Sequence, residues 1–407
     1  MSEVQLDSRY SWFRLAITVT VATIGGVGLW SMQVALPAVQ AEFGVARGSA
    51  SLPYTMTMLG LVFGSIMMGK LSDRFGIFVP VVVGAVCLFL GYAAASIADS
   101  LTVFTLAYGF IIGFLGSSAM FGPLIADVSL WFNRRRGFAI ALCASGNYLA
   151  GTIWPPIIEN LIATQGWRTT HIIIGVFCVV TLIPLAFILR RKPPQQSPLA
   201  AVSLGGKARG GLGLKPGFVQ GLIVVAGLAC CVAMSMPQVH IVAYCVDLGY
   251  GPARGAEMLS LMLGTGVISR LASGWILDHI GGFRTLLFGS IGQAVALALY
   301  IPFDGLVSLY VISAVFGLVQ GGIVPSYPFI IRELFPAKEA GYRISLALSA
   351  TLAGMALGGW MSGAIFDLTG SYRMALINGI GWNLLNMAIA FWLLQRWRGR
   401  RTAHALA

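Results

Sequence analysis

Along the chain, runs of mostly apolar residues alternate with short polar turns, and roughly 20 such residues are what one helix needs to cross a bilayer. The pattern predicts helices near 14–40, 50–72, 77–98, 101–130, 138–162 and 168–189. A second set follows near 218–246, 255–278, 284–302, 306–334, 341–364 and 372–395. Between the sets lies a polar, Gly- and Pro-rich stretch, Arg190–Gly217. The expected organisation is an all-α membrane protein of twelve spans: a six-helix bundle over 1–190, a cytoplasmic linker over 191–216, and a second bundle over 217–407.

Composition agrees with that pattern. Only 10% of the 407 residues are charged and 57% are hydrophobic, whereas soluble domains carry about 25% charged residues. The formal net charge of +12 could suggest nucleic acid, but the basic residues sit in short loops between apolar runs. That is the pattern of cytoplasmic loops, and no nucleic-acid partner is expected. Twenty-one lysines and arginines fall on one set of loops and ends, and four (Arg47, Arg168, Arg254, Arg373) on the other. Both termini are therefore expected in the cytoplasm, with the chain in the plasma (inner) membrane. The start, MSEVQLDSRYSWFR, lacks a basic n-region and a small-residue cleavage site, so the first run reads as a retained helix. The six cysteines fall inside apolar runs without zinc-site spacing and read as small hydrophobes.

The two halves repeat at an offset of 205. Gly69-Lys-Leu-Ser-Asp73-Arg-Phe-Gly76 lies over Gly274-Trp-Ile-Leu-Asp278-His-Ile-Gly281, Gln33 over Gln238, and Trp167-Arg168 over Tyr372-Arg373. Parallel halves of this kind place a binding site between them near mid-membrane. Charges shared by both halves, Arg168 and Arg373, read as scaffold.

One cation breaks the symmetry. Arg270 lies inside the apolar run Leu261–Asp278 and falls on Ser65 of the first half. An arginine at membrane depth costs at least a few kcal/mol and normally faces the protein interior or a watery path. None of the 14 acidic residues lies at a matching mid-membrane position. An unpaired guanidinium there points to an anion, and its planar fork suits a carboxylate. Gln33, Tyr148 and Tyr327 lie on other helices at fitting depths, and Tyr327 stands between Pro325 and Pro328, where the tenth helix is expected to break. Trp30, Phe121 and Asn147 are further wall candidates. His240, in the outer part of the seventh helix, is either a proton site or a packed histidine. Asn383 and Asn386 read as interhelical bonds.

The residues GKLSDRFG at Gly69–Gly76 resemble the loop between the second and third helices of the major facilitator superfamily. The resemblance implies a conformational latch of Asp73, Arg74 and Asp127, with Asp73 at the start of the third helix and Arg74 meeting Asp127. Asp278 carries the second copy, where His279 replaces the arginine. The run Trp131–Gly146, WFNRRRGFAIALCASG, is similar to the fifth-helix entry of monocarboxylate transporters and oxalate/formate antiporters. That branch has an eighth-helix arginine for the substrate carboxylate, which Arg270 matches. Its oxalate carriers add an eleventh-helix lysine, whereas here ISLALSATLAGMALGGWMSGA has no charge. A dianion would keep one bare charge, which is costly to desolvate, so a monocarboxylate is favoured.

The expectation is a secondary carrier for a small organic anion such as lactate, pyruvate or formate, by proton symport or anion exchange, with a single chain sufficing. Two alternatives stand beside it: an exporter of amphipathic or aromatic compounds with Arg270 structural, and a membrane sensor that moves nothing. Phosphate-loop, metalloprotease and nucleophile-elbow motifs are absent, so neither an enzyme nor a cofactor or metal is expected.

Overall fold

The computed structural model describes residues 6–191 and 214–405. The expected linker over 191–216 therefore lies almost wholly outside the described residues. Eleven apolar helical runs are long enough to span a membrane, and one of them is two helices. The run 136–188 reverses at Gly166 (φ 77°, ψ 158°), a backbone setting that glycine adopts readily. Its two ends confirm the reversal. Phe138 packs on Trp12 with ring centroids 6.2 Å apart, and Arg14 at the start of the first helix reaches the Leu189 carbonyl at 3.0 Å. The described residues therefore hold twelve spans.

In chain order these are α1 (Arg9–Phe43), α2 (Arg47–Phe75), α3 (Phe78–Ser96), α4 (Leu101–Ser129), α5 (136–165) and α6 (167–188). The second bundle holds α7 (Pro216–Asp247), α8 (Pro252–Ile280), α9 (Gly282–Leu299), α10 (Leu306–Leu334), α11 (Ala337–Thr369) and α12 (Tyr372–Ala405). An even number of crossings puts both ends on one face, and the basic loops fall on that face too. It is called the basic face below, and its opposite the far face.

Small residues set how closely the helices pack. A Cβ on Gly64 of α2 would lie 2.1 Å from the Phe114 carbonyl of α4, and one on Gly317 of α10 would lie 2.0 Å from the Met262 carbonyl of α8. Such backbone contact is available only to glycine. Next to these contacts the helices lose regular winding. In α4 the turn widens to an i→i+5 pattern over Ala107–Gly116, tightens over Ser117–Met120 and restarts at Gly122. In α10 the helix stops at Gln320 and restarts at Ile323.

The α10 break thus lies at Gly321–Gly322, ahead of the position expected between Pro325 and Pro328. Pro325 falls in the first turn of Ile323–Leu334, where an N–H has no intrahelical carbonyl to bond, so it is tolerated inside the restarted helix.

Asp127 has a different partner in this state from the one the motif implies. Its carboxylate is buried and paired with Arg14, not with Arg74: Arg14 Nε and Nη2 donate to it at 3.1, 3.0 and 2.9 Å. Arg14 also stands 4.4 Å over the Trp131 ring. The pairing follows from depth. Asp127 sits inside the bundle beside the start of α1, whereas Arg74, in the last turn of α2, is exposed and lies against Phe75. Asp73 is likewise exposed in that last turn and does not cap α3, which begins at Phe78 after Ile77. Asn383 and Asn386 do form interhelical bonds, both donating to Ser290 of α9 at 2.7 Å.

Candidate site between the two halves

The halves meet on the far side of the molecule. Arg47, at the start of α2, forms a two-pronged pair with Asp247 at the end of α7, at 2.8 and 3.0 Å. Its Nη1 also donates to the Tyr372 hydroxyl at 2.8 Å, and its Cζ lies 4.5 Å over the Phe366 ring. The backbone N–H groups of Arg47 and Gly48 both donate to Asp367 at 2.7 Å, the free amides of a helix start holding a carboxylate. Further in, Thr55 donates to the Ala356 carbonyl at 3.0 Å, and Ser260 of α8 donates to the Thr152 carbonyl of α5.

On the basic side the same helices stand free. The bonds named between the halves, from Arg47–Asp247 and Gly48–Asp367 through Thr55–Ala356 to Ser260–Thr152, all lie on the far side of mid-depth. The protein is therefore sealed toward the far face and open toward the basic face.

Arg270 stands where the seal ends. It lies in α8 directly against α5, donating through Nη1 to the Ala144 carbonyl at 3.2 Å. Its Cζ is 4.1 Å from the centroid of the Tyr148 ring, a cation–π contact. Its Nε is buried with no hydrogen-bond partner, and none of the ion pairs among the described residues includes it. The Nε/Nη2 edge, the edge that grips a carboxylate with two parallel bonds, is unused. Trp30 of α1 completes this wall, its indole N–H donating to the Asn147 carbonyl at 2.9 Å and to Asn147 Oδ1 at 3.1 Å. Gly151 packs against both Trp30 and Leu263 of α8.

The remaining candidates separate by position. Gln33 lies one turn beyond Trp30, inside the sealed half; it is 1% exposed and neither amide atom has a partner. Tyr327 is held inside the second bundle, its hydroxyl 3.0 Å from both the Ala226 carbonyl and Asn386 Oδ1. It does not share the Arg270 wall. Phe121 sits at the α4 break. His240 belongs to the far seal: Nε2 faces the Gly359 carbonyl at 2.7 Å and Nδ1 the Tyr372 hydroxyl at 2.9 Å. With Nε2 donating to the carbonyl, Tyr372 donates to Nδ1 and accepts from Arg47.

Asp73, Arg74 and Asp278 are exposed at the open face without an ion pair among the described residues. Asp278 borders a cleft of ≈ 270 Å³ with His279, Arg284, Phe329 and Glu333. That cleft lies roughly 12 Å along α8 from Arg270, two turns at 1.5 Å per residue, and is separate from the carboxylate-sized edge.

Arg47 has a role that its place in the sequence does not announce. The available signal was the offset of 205, which places Glu42 over Asp247 and Trp167 over Tyr372. The pairing itself joins residues 200 positions apart and needs the folded halves.

Two pseudo-symmetric six-helix bundles around a mid-depth site are the architecture of a membrane transporter, not an enzyme. The chain belongs to the Major Facilitator Superfamily, whose sequence profile matches residues 18–327. It is 29% identical to Monocarboxylate transporter 13 of Bos taurus over 323 residues, covering 77% of this chain and 73% of that one. Monocarboxylate transporter 11 of Mus musculus is 26% identical over 388 residues, 91% of this chain and 84% of that one. MFS transporter asaE of Aspergillus flavus is 27% identical over 322 residues, 77% and 70% of the two chains.

Among solved structures, a bacterial homologue of the human lysosomal transporter Spinster, inward-facing and occupied, superposes with a TM-score of 0.71. The identity is 13%, over 96% of this chain and 98% of that one. The peptide transporter POT with alafosfalin gives 0.73, also at 13% identity, over 94% and 95%. At that identity the likeness is one of fold.

Proposed function

We propose that this transporter carries a small organic monoanion, a monocarboxylate of the size of lactate, pyruvate or formate, by alternating access. The observation that carries this is the unused Nε/Nη2 edge of Arg270, lying over Tyr148 between the halves with no acidic partner. A substrate carboxylate supplies the missing charge and two hydrogen bonds, and a charge-assisted bond is worth about 1.5–3 kcal/mol. The monocarboxylate transporters among the relatives support the same substrate class. With no second cation at the site among the described residues, a dianion keeps one charge bare.

In this reading the protein sits in the plasma (inner) membrane with its basic face and both termini cytoplasmic, and one chain is the working unit. Tyr148 supports the guanidinium, Gln33 meets the substrate or water once the far side opens, and His240 is the candidate proton carrier if transport is symport. The exposed Asp73, Arg74 and Asp278 re-form a latch when the basic face closes.

The test is uptake of labelled mono- and dicarboxylates into proteoliposomes, with and without an inward proton gradient, for wild type and Arg270→Lys. Gradient-driven monoanion uptake lost in the lysine variant supports symport through a guanidinium grip. Uptake requiring an anion on the opposite side supports exchange. Carboxylate uptake unchanged in Arg270→Lys, or flux of uncharged aromatic compounds alone, overturns the assignment.

A further inference from the structure

The two far-side carboxylates of the repeat, Glu42 in the first half and Asp247 in the second, are held differently. Glu42 is tied within its own half. Arg168 Nε and Nη2 donate to it at 3.0 and 2.7 Å, and the Trp167 indole N–H donates as well. Arg168 also reaches back to the Ser96 and Ala98 carbonyls at 2.7 and 2.9 Å, clamping α6 against the end of α3.

The second half contains the same parts at the same offset: Asp247, Tyr372 and Arg373. There the clamp is not made. Asp247 is taken across the boundary by Arg47, the Tyr372 hydroxyl also serves Arg47, and Arg373 is exposed with its guanidinium unpartnered among the described residues. The two halves also lack matching cations, since Arg47 falls on Pro252 in the repeat. Pro252 cannot make such a pair, and the nearby Arg254 is engaged by Glu257 of its own helix.

We infer that Asp247 is an exchange residue: it pairs with Arg47 while the far side is closed and passes to Arg373 when the far side opens, rebuilding in the second half the Glu42–Arg168 clamp. Arg373 holds the place in the repeat that Arg168 holds beside Glu42. Its neighbour Tyr372 packs edge-on to Tyr244 at 5.5 Å, one turn before Asp247. The exchange removes the main electrostatic obstacle to opening. Pulling Arg47 away would otherwise cost the pair outright, whereas a carboxylate handed to a waiting guanidinium regains a pair in the open state. A pair with a successor of similar strength leaves both states populated, whereas a pair without one biases the gate toward closure by its full strength.

The inference rests on alternating access and not on which anion is carried, so it is testable without substrate. Spin labels at Thr164→Cys and Phe303→Cys, both exposed on far-side turns of opposite halves, report far-side opening in nanodiscs, with native cysteines replaced by alanine. Arg47→Ala is expected to raise the far-open population. Arg373→Ala is expected to lower it, by about three- to tenfold, the span of a partly exposed ion pair of roughly 1 kcal/mol. In an Asp247→Asn background, Arg373→Ala should have no further effect. Arg373→Lys, which keeps the charge, should restore most of the population.

An unchanged distance distribution in Arg373→Ala overturns the exchange, as does an Arg373 effect that persists without the Asp247 charge. Failure of carboxylate uptake with the exchange intact would count against the proposed substrate alone.

Discussion

The buried pair of Arg14 and Asp127 gives the sharpest test of how the first bundle is held together. Asp127 is 7% exposed and Arg14 1%. Arg14 makes three bonds to the carboxylate, a fourth to the Leu189 carbonyl and a ring contact with Trp131. It therefore ties α1, α4 and the end of α6 at one point. Replacing Arg14 by leucine leaves Asp127 charged, desolvated and alone, and breaking a buried pair from one side costs about 3–5 kcal/mol. Replacing both by leucine removes both desolvation penalties and should come within about 1 kcal/mol of wild type.

Arg74→Leu should cost less than about 0.5 kcal/mol, because Arg74 is exposed and makes no ion pair. The measurement is denaturant unfolding of purified protein in mild detergent, followed by tryptophan fluorescence, for the three variants. A loss in Arg74→Leu equal to that in Arg14→Leu would refute the reasoning and return Asp127 to the partner expected from the motif.

Other consequences are as direct. Tyr148→Phe keeps the ring under Arg270 and should change substrate affinity less than about twofold, whereas Tyr148→Leu removes the cation–π contact of roughly 0.5–2 kcal/mol and should weaken it about 3- to 30-fold; equal losses would show the hydroxyl to matter instead. Gln33→Met removes two unpaired buried polar atoms and should favour the far-closed state about fivefold or more in the spin-label distances, since each such group costs about 1–3 kcal/mol; a shift the other way would mean Gln33 is satisfied in this state.

Asp7 accepts from the backbone N–H groups of Asn133, Arg134 and Arg135. Burial raises its carboxyl, but these donors and the Arg134 charge outweigh that and leave it below the usual carboxylate range. Its docking contribution is therefore present above about pH 4 and is lost as pH falls through the depressed value. Protection factors over 131–135, corrected for the intrinsic pH dependence of amide exchange, should fall on acidification below that point, and Asp7→Asn should show low protection already at pH 7.

Much of this protein is set locally along the chain. A bilayer requires that backbone groups be satisfied within each span, so twelve apolar runs bounded by basic loops are enough to give twelve helices. The turn at Gly166 between α5 and α6 was legible for the same reason. Arg270 was legible because a lone charge at membrane depth is conspicuous without knowledge of any neighbour, and Tyr148 followed from its depth on α5.

Partnership could not be read this way. Asp127 has basic residues at several sequence distances, and only the packing of α1 against α4 selects Arg14 over Arg74. Tyr327 and His240 have the depths of site residues, yet neighbouring helices engage their polar atoms, through Asn386 for one and Tyr372 for the other. The α10 break moved to Gly321–Gly322 because close contact with α8, not proline alone, decides where the winding gives way. The far seal is the extreme case. Glu42 and Asp247 are equivalent in the repeat, and their different partners follow only from how one half leans on the other in this conformation. Element type depends on the solvent a segment sees, which composition encodes; pair choice depends on distances between segments, which only the assembled bundles fix.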